Sequence, residues 1–417
     1  MMHIPSLKYK TKKQPIAELK EASVYRIPLQ SYRSTLLPLV KIGDQILQYQ
    51  VLAEDVEHQF AAKIHSPVSG KVIAIDEHYI SLENDFQQQK ITTEIIEFQQ
   101  LDLERFVQVL KDFGIAGIGG AEFPTNIKYK VEGSEIKSLL INGIECEPYL
   151  TSDYAVMRHE TEKLLKTIAV LNQIFQPEEI VIGIEKQHKE LKKHFEKSFK
   201  NYPNLAIRIH LLTNEYPQGG ELQFIKSVTH KEIPKGSIPA NFGYLVSNVG
   251  TILAIYEALF NGIPTTERVI TISGNAVNSI GNYRVKIGTP IRHILEELNI
   301  DAEDVDIVLG GPMMGKEVAD LDSPIKKGSG GLLLFKKQQK SIENCIECGY
   351  CVDVCPQHLM PMQFVKGHQE DQNLLSQFNL DHCIECGACE YICPSNLPLM
   401  QSIVLGKVEL QKMRYAK

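Results

Sequence analysis

Two stretches decide how this chain reads: NCIECGYCVDVCP at residues 344–356 and HCIECGACEYICP at residues 382–394. In the first, Cys345, Cys348, Cys351 and Cys355 are separated by two, two and three residues and followed by Pro356; in the second, Cys383, Cys386, Cys389 and Cys393 repeat the spacing ahead of Pro394. Two-residue gaps let three thiolates of one tight loop converge on a four-iron four-sulfur cube, while the fourth, held beyond the turn by proline, points to the other cluster. The spacing therefore predicts one cluster on Cys345, Cys348, Cys351 and Cys393, and a second on Cys383, Cys386, Cys389 and Cys355. Zinc is the competing metal, but its sites arrange four ligands as two CxxC or CxxH pairs, and tandem four-cysteine runs each closed by proline do not follow that pattern. Gly349 and Gly387 hold matching places in the loops, so the runs form an internal repeat. The 27 residues between them, Pro356 to His382, include a helix-favouring polar stretch around Gln369 to Phe378, which predicts helices added between the cluster loops.

Outside this region the composition sets bounds. A chain of 417 residues with 43% hydrophobic content buries several cores, so three or four domains are expected. A net charge of -7 with no basic stripe interleaved with aromatics argues against nucleic acid as a partner. The Lys-rich segment Glu185 to Lys200 alternates Glu with Lys as a solvated helix does. The N-terminus has no apolar run with a small-residue cleavage site, which predicts a cytoplasmic chain. Phe242 to Phe260 has about the length of a membrane span but carries Ser247, Asn248 and Glu257, so a buried helix is expected there and any membrane contact is peripheral. Eight of the nine cysteines fall in the last 80 residues, and in a reducing compartment such a concentration reads as ligands, not disulfides. The ninth, Cys146, reads as a small buried thiol.

Toward the N-terminus, Pro38 to Val56 alternates apolar and polar residues around Gly43-Asp44, a hairpin pattern, and His65 to Ile75 repeats it. Together they resemble a barrel-sandwich hybrid of the biotinyl and lipoyl type. Lys63 lies between them without the flanking Met or Asp of a modified lysine, so a structural or docking role is expected. From about Leu101 to Pro264, strand-like runs alternate with helical stretches at Ser138–Asn142, Glu160–Ile174, Ile180–Glu185, Ala206–Leu212 and Leu245–Ala258, an α/β layer pattern. Arg268 to Gly274 and Asp306 to Gly311 then flank a helix at Ile291 to Leu298 in a small β-rich module, and the tract Lys326 to Lys340, with three glycines, reads as the boundary before the cluster domain. Within the α/β region, Gly114, Gly117, Gly119 and Gly120 allow a ligand close to the backbone, Pro124-Thr125 suit a helix start, and Lys128 can neutralise a phosphate.

GIAGIGGAEFPTNIK (114–128), INGIECEPYLTSDYAVMRHE (141–160), YPQGGELQ (216–223) and SNVGTILAIYEAL (247–259), followed by the two cysteine runs, resemble the RnfC family of the Rnf ion-translocating electron-transport complex from about His3 to Leu405. The middle of that family is in turn similar to the flavin-binding subunit of respiratory complex I. The resemblance implies a multidomain α/β chain: an N-terminal barrel-sandwich hybrid over 1–95, a Rossmann-like FMN/NADH domain over 96–265, a β-grasp (SLBB) module over 266–332, and a helical two-cluster ferredoxin domain over 338–417. It implies that Gly117, Gly119, Gly120 and Lys128 hold FMN, that Asn142, Glu145 and Glu147 line the flavin or nicotinamide site, that Glu221 binds a nucleotide ribose, and that Phe123 stacks on a ring. Two departures stand out. Glu122 replaces the glycine that complex I has before Phe-Pro, and the chain stops at Lys417 without the Ala- and Lys-rich extension of many members.

The implied function is that of an electron-transfer subunit at the cytoplasmic face of the inner membrane, working between NAD(H), or ferredoxin, and the other subunits of an Rnf-type complex. FMN converts hydride electrons to single ones for the clusters. Two other readings compete: a soluble adaptor of the kind that reduces cobalamin or feeds proline reductase, and a plain ferredoxin-like carrier whose α/β region binds no nucleotide.

Overall fold

The computed structural model describes residues 4–55, 60–93, 96, 101–131, 133–338, 341–369 and 372–415. Its centre is a four-stranded parallel sheet in the order Ile207–Leu212, Glu179–Glu185, Ser138–Gly143, Tyr244–Asn248. In chain order these are strands three, two, one and four. SLLING and IVIGI are apolar on both faces because both faces are covered. Leu139, Ile141, Ile180, Ile182 and Leu245 point into one core with the helices Leu103–Asp112, Thr161–Phe175 and Val249–Asn261. Their neighbours Leu140, Val181 and Val246 point into the other, against Phe224, Ile225 and Val228 of the helix Glu221–Thr229.

Local sequence explains the helices. Leu164, Leu165, Ile168 and Leu171 recur on one face of Thr161–Phe175, which ends where Gln176 turns left-handed at φ 44°. Each of these leucines is buried, and truncating one to alanine costs about 2–5 kcal/mol. Asp102 caps the Leu103–Asp112 helix through its carboxylate, which accepts the Arg105 N–H at 2.8 Å.

A six-stranded mixed sheet stands beside the parallel one, in the order Ile16–Glu18, Gly281–Lys286, Glu267–Gly274, Gly331–Lys336, Val305–Leu309, Lys316–Glu317, with the helix Ile291–Glu297 packed on it. Two expectations change here. The glycine-marked tract 326–340 is no linker over its described part, because Gly331–Lys336 is an inner strand with Leu332, Leu333 and Leu334 buried; Gln339 and Lys340 lie outside the described residues. The N-terminal segment also leaves the barrel sandwich to add Ile16–Glu18 as an edge strand.

The barrel sandwich closes two small sheets, Val24–Pro28, Tyr79–Asn84, Gly70–Ile75, Gln45–Ile46 and Leu37–Pro38, Val51–Glu54, Ile64–His65, around Leu52, Val72, Ile80 and Leu82. The expected hairpin of 38–56 pairs only at its outer ends, and that of 65–75 does not form. Leu37–Pro38 pairs with Val51–Glu54, whereas Gln45–Ile46 pairs with Gly70–Ile75, and Ile64–His65 belongs to a different sheet from Gly70–Ile75. Alternation records which side chains are buried, and strands that cross between two sheets keep that alternation while changing partner. Val56 lies outside the described residues.

Two further expectations are corrected. Phe242 to Phe260 is a buried strand followed by a helix, Tyr244–Asn248 and Val249–Asn261. Among the described residues no helix is long and apolar enough to cross a membrane. Glu185 does not belong to a solvated helix: it ends a strand and is buried in an ion pair with Lys8 at 3.0 Å, while Leu191 and Phe195 of the helix Glu190–Ser198 are buried too. Between the cysteine runs, helices Pro361–Gln369 and Asn373–Gln377 pack with Leu399–Tyr415; Glu370 and Asp371 are outside the described residues.

Candidate functional site

In an open parallel sheet the ligand crevice lies beyond the carboxyl ends of the strands where their order reverses. Here that point falls between Ser138–Gly143 and Tyr244–Asn248, whose last paired residues are Asn142 and Asn248, side by side in register. Asn142 donates its amide to the Gly219 carbonyl at 2.9 Å and accepts the Ile144 N–H at 3.0 Å. Asn248 caps Val249–Asn261 by accepting the Gly250 N–H at 2.8 Å and donates to the Asp153 carboxylate at 2.6 Å.

The glycine loop lies across this helix start. Gly117 N–H donates to the Phe123 carbonyl at 2.8 Å, and Ile118 N–H to the Thr251 hydroxyl at 3.0 Å. A Cβ added at Gly119 would touch the Asn248 side chain at 3.4 Å, whereas Gly120 faces open space. Lys128 pairs with Glu221 at 2.6 Å, joining the short helix Thr125–Tyr129 to the first turn of Glu221–Thr229. Gly119, Asn142, Lys128 and Glu221 are thus linked through Asn248 and the Gly219-Gly220 turn at the carboxyl end of the sheet, with Gly117 and Gly120 in the adjoining loop. Asn248 and the Gly219-Gly220 turn belong with them; the amide that ends SN before a helical run was their signal in the sequence.

Three other expected residues are engaged elsewhere. Glu145 is buried, and its carboxylate accepts from the Ser152 hydroxyl at 2.7 Å and the Asp153 and Tyr154 N–H groups at 3.2 and 3.4 Å, at the start of the helix Ser152–His159. Burial first, and then the Asp153 carboxylate, hold its pKa above the usual range. Glu147 accepts the Met313 and Met314 N–H groups at 3.0 and 2.9 Å, tying the parallel-sheet domain to the neighbouring module; burial pushes its carboxyl up to about 6. Both carboxylates therefore organise backbone. Phe123 meets Tyr32 of the barrel sandwich edge-on at 5.2 Å, and Glu122 turns its carboxylate to the Gly328 N–H at 2.6 Å.

Several participants were invisible in the sequence. Lys8 bonds the Glu145 carbonyl as well as Glu185, fixing the turn after Asn142. Lys327, fully buried, donates to the Lys63 and Gly114 carbonyls at 2.8 and 2.7 Å, and burial drops its pKa to about 8. Lys63 itself is tied to Asp112 at 2.9 Å and is no free arm.

In the C-terminal domain each cysteine quartet lines a cavity. Cys345, Cys348, Cys351 and Cys393 line one, and Cys355, Cys383, Cys386 and Cys389 line the other. The fourth cysteine of each run faces the cavity of the other. The remaining lining is largely apolar, with Met362, Leu397 and Leu399 at the first and Leu359, Phe364 and Ile403 at the second. Among the described residues no three His, Cys, Asp or Glu side chains converge in single-ion geometry. Burial, then neighbouring thiols, push Cys386 up to about 11 and Cys389 higher still, so without a metal these sulfurs would stay protonated. A coordinated iron reverses that, because a ligating thiol is deprotonated outright. Backbone N–H groups of Leu359 and Glu385 reach the Cys355 and Cys383 sulfurs at 3.4 Å. An all-sulfur donor set in a largely apolar lining fits an iron–sulfur cluster.

Fold and site together define a modular flavin and iron–sulfur protein. Three family models match in order along the chain: the RnfC barrel sandwich hybrid domain at 2–97, the Nuo51 FMN-binding domain at 110–257 and the 4Fe-4S dicluster domain at 344–397. The chain is similar to the C subunit of the ion-translocating oxidoreductase complex of Haemophilus influenzae (strain PittEE), 34% identical over 87% of this chain and 58% of that one, and to its counterpart in Citrobacter koseri, 33% identical over 89% and 55%. Over most of its length it is similar to this RnfC family, and the matched domains support FMN and two [4Fe–4S] clusters as its cofactors. The chain spans a little over half the length of these relatives. A solved NAD+-reducing [NiFe]-hydrogenase shares the fold, with a TM-score of 0.56, 16% identity, and 76% of this chain and 67% of that chain covered.

Proposed function

We propose that this chain is the electron-transfer subunit of a membrane-bound ion-translocating oxidoreductase, passing electrons between NAD(H) and membrane redox partners through FMN and two [4Fe–4S] clusters. It acts as a peripheral subunit at the cytoplasmic face of the membrane, and its domains divide near 95, 265 and 336. The observation that carries the reading is that the switch-point crevice and one thiol quartet share a wall: Cys146, four residues beyond Asn142, packs in one apolar cluster with Cys386 and Ala388.

In this reading Gly117, Gly119 and Gly120 admit FMN to the backbone, the Asn248-capped helix start and Lys128 receive its phosphate, and Asn142 orients its ring. Bound there, FMN supplies the conversion between hydride and single-electron chemistry. Glu221, paired with Lys128 at 2.6 Å, would bind a nucleotide ribose beside that phosphate. Glu145 and Glu147 keep the turn that follows Asn142 rigid, which lets the crevice bind without ordering cost. Cys355, Cys383, Cys386 and Cys389 would hold one cluster within the apolar lining described above, whereas the exposed Cys345 and Cys348 would leave the other open to solvent on one side.

The test is anaerobic addition of NADH to the purified chain. Bleaching of cluster absorbance that requires retained FMN supports the reading; clusters that stay oxidised with FMN bound contradict the nicotinamide step. Recovery of integral membrane subunits with the affinity-tagged chain tests the assembly, and a chain recovered alone from solubilised membranes would point to a soluble adaptor.

A further inference from the structure

The segment Thr213–Glu221 touches the nucleotide crevice at one end and a cysteine loop at the other. At its crevice end the Gly219 carbonyl accepts the Asn142 amide at 2.9 Å, and a Cβ on Gly219 would lie 2.7 Å from the Ile144 carbonyl and 3.1 Å from the Cys146 sulfur. Three residues earlier the Tyr216 ring is buried among Cys146, Met313, Ala388 and Cys386, only 8% exposed. Its hydroxyl donates to the Cys386 carbonyl at 2.5 Å. No equivalent exists at the first quartet among the described residues: Cys345 and Cys348 are exposed, and Gly349 faces open space.

We infer that Tyr216 is a positioning residue for electron transfer, which seats the Cys386 loop against the flavin crevice and raises the reduction potential of the cluster held by Cys355, Cys383, Cys386 and Cys389. The inference rests on the cluster reading above. Its physical basis is direct. Reduction adds negative charge to the cluster, and a hydroxyl donating to the backbone of a ligand residue stabilises that charge, as hydrogen bonds around the sulfurs do generally. Burial strengthens the effect, since little water screens the dipole. The ring alone would account for docking; the hydroxyl is what tunes.

Tyr216→Phe separates the two, because it keeps the ring and removes only the donor. In an EPR-monitored redox titration of the anaerobic full chain, with Cys345→Ala identifying which signal belongs to the Cys386 cluster, Tyr216→Phe lowers that midpoint and leaves the other in place. The expected change is up to roughly tenfold in the reduced-to-oxidised ratio at fixed potential, about 59 mV for one electron. Stopped-flow reduction of the same cluster by NADH slows in parallel. Two signals whose midpoints both stay put, or a shift confined to the other cluster, overturn the inference and leave the cluster reading standing. Loss of either signal in the unsubstituted chain overturns both.

Discussion

The two cysteine loops share a sequence pattern and differ in their surroundings. Gly349 and Gly387 occupy matching places and have nearly the same left-handed backbone, φ 79° and 74°. Around Gly349 there is open space, and Cys345 and Cys348 are exposed beside Ile342 and Ile346. Gly387 sits directly on the Met313 carbonyl, and its loop is further held by Tyr216, by Lys407 on the Cys383 carbonyl at 2.7 Å, and by Lys235 on the Asp381 carbonyl. Ligand spacing makes a pair of cages; the rest of the molecule then gives them different surroundings, one packed against Tyr216 and Met313 and one exposed.

The largest expected effect comes from the two glycines. Gly349→Ala imposes only the cost of a side chain at positive φ, about 1–2 kcal/mol. Gly387→Ala adds a collision with the Met313 carbonyl, a backbone atom that cannot step aside without moving the Gly310–Gly315 turn. Iron analysis after anaerobic purification then shows near-normal content for Gly349→Ala and loss of about half for Gly387→Ala, with a lower thermal midpoint. Equal behaviour of the two variants would erase the comparison.

A smaller effect concerns the seat itself. Glu147 holds the Met313 and Met314 N–H groups on which the inner loop rests, and burial raises its carboxyl from 4.5 to about 6 against those two bonds. With a folded-state pKa above the unfolded one, the folded chain binds the additional proton, so this contribution favours folding below about 4.5 and is lost as pH rises through about 6. Glu147→Gln removes it. The unfolding free energy, measured by denaturant titration across that window, falls less steeply with rising pH in the variant, by on the order of 2 kcal/mol over the span. Parallel slopes would show that Glu147 takes no part in the seat's pH response.

Ligand spacing, the apolar runs of the parallel sheet and the glycine loop were legible because each is a local signal. Ser138–Gly143 and Glu179–Glu185 stand where their β-branched runs predict them, and the cysteine runs line the two cavities that their three-plus-one pattern requires. What escaped was set by partners far away in the chain. Nothing near Lys8 announces that it is buried against Glu185, nothing near Lys327 that it bridges Lys63 and Gly114, and nothing in the 326–336 glycines that they lead into an inner strand. The hydrogen-bond partners of the carboxylates after Asn142 were hidden for the same reason: Glu145 and Glu147 accept from backbone N–H groups that only the fold brings to them. Strand alternation at 38–75 marked Val40, Ile46, Leu52 and Val72 for the core but also Leu39, Ile42 and Ile73, which are exposed, and it left most of the pairing open because alternation does not name the neighbouring strand.

The most direct measurement is iron, acid-labile sulfide and flavin per chain in oxygen-free protein, with EPR of the reduced state. About eight irons and eight sulfides, one FMN, and two distinguishable cluster signals are predicted. Far fewer irons, or zinc in their place, would contradict the account at its base.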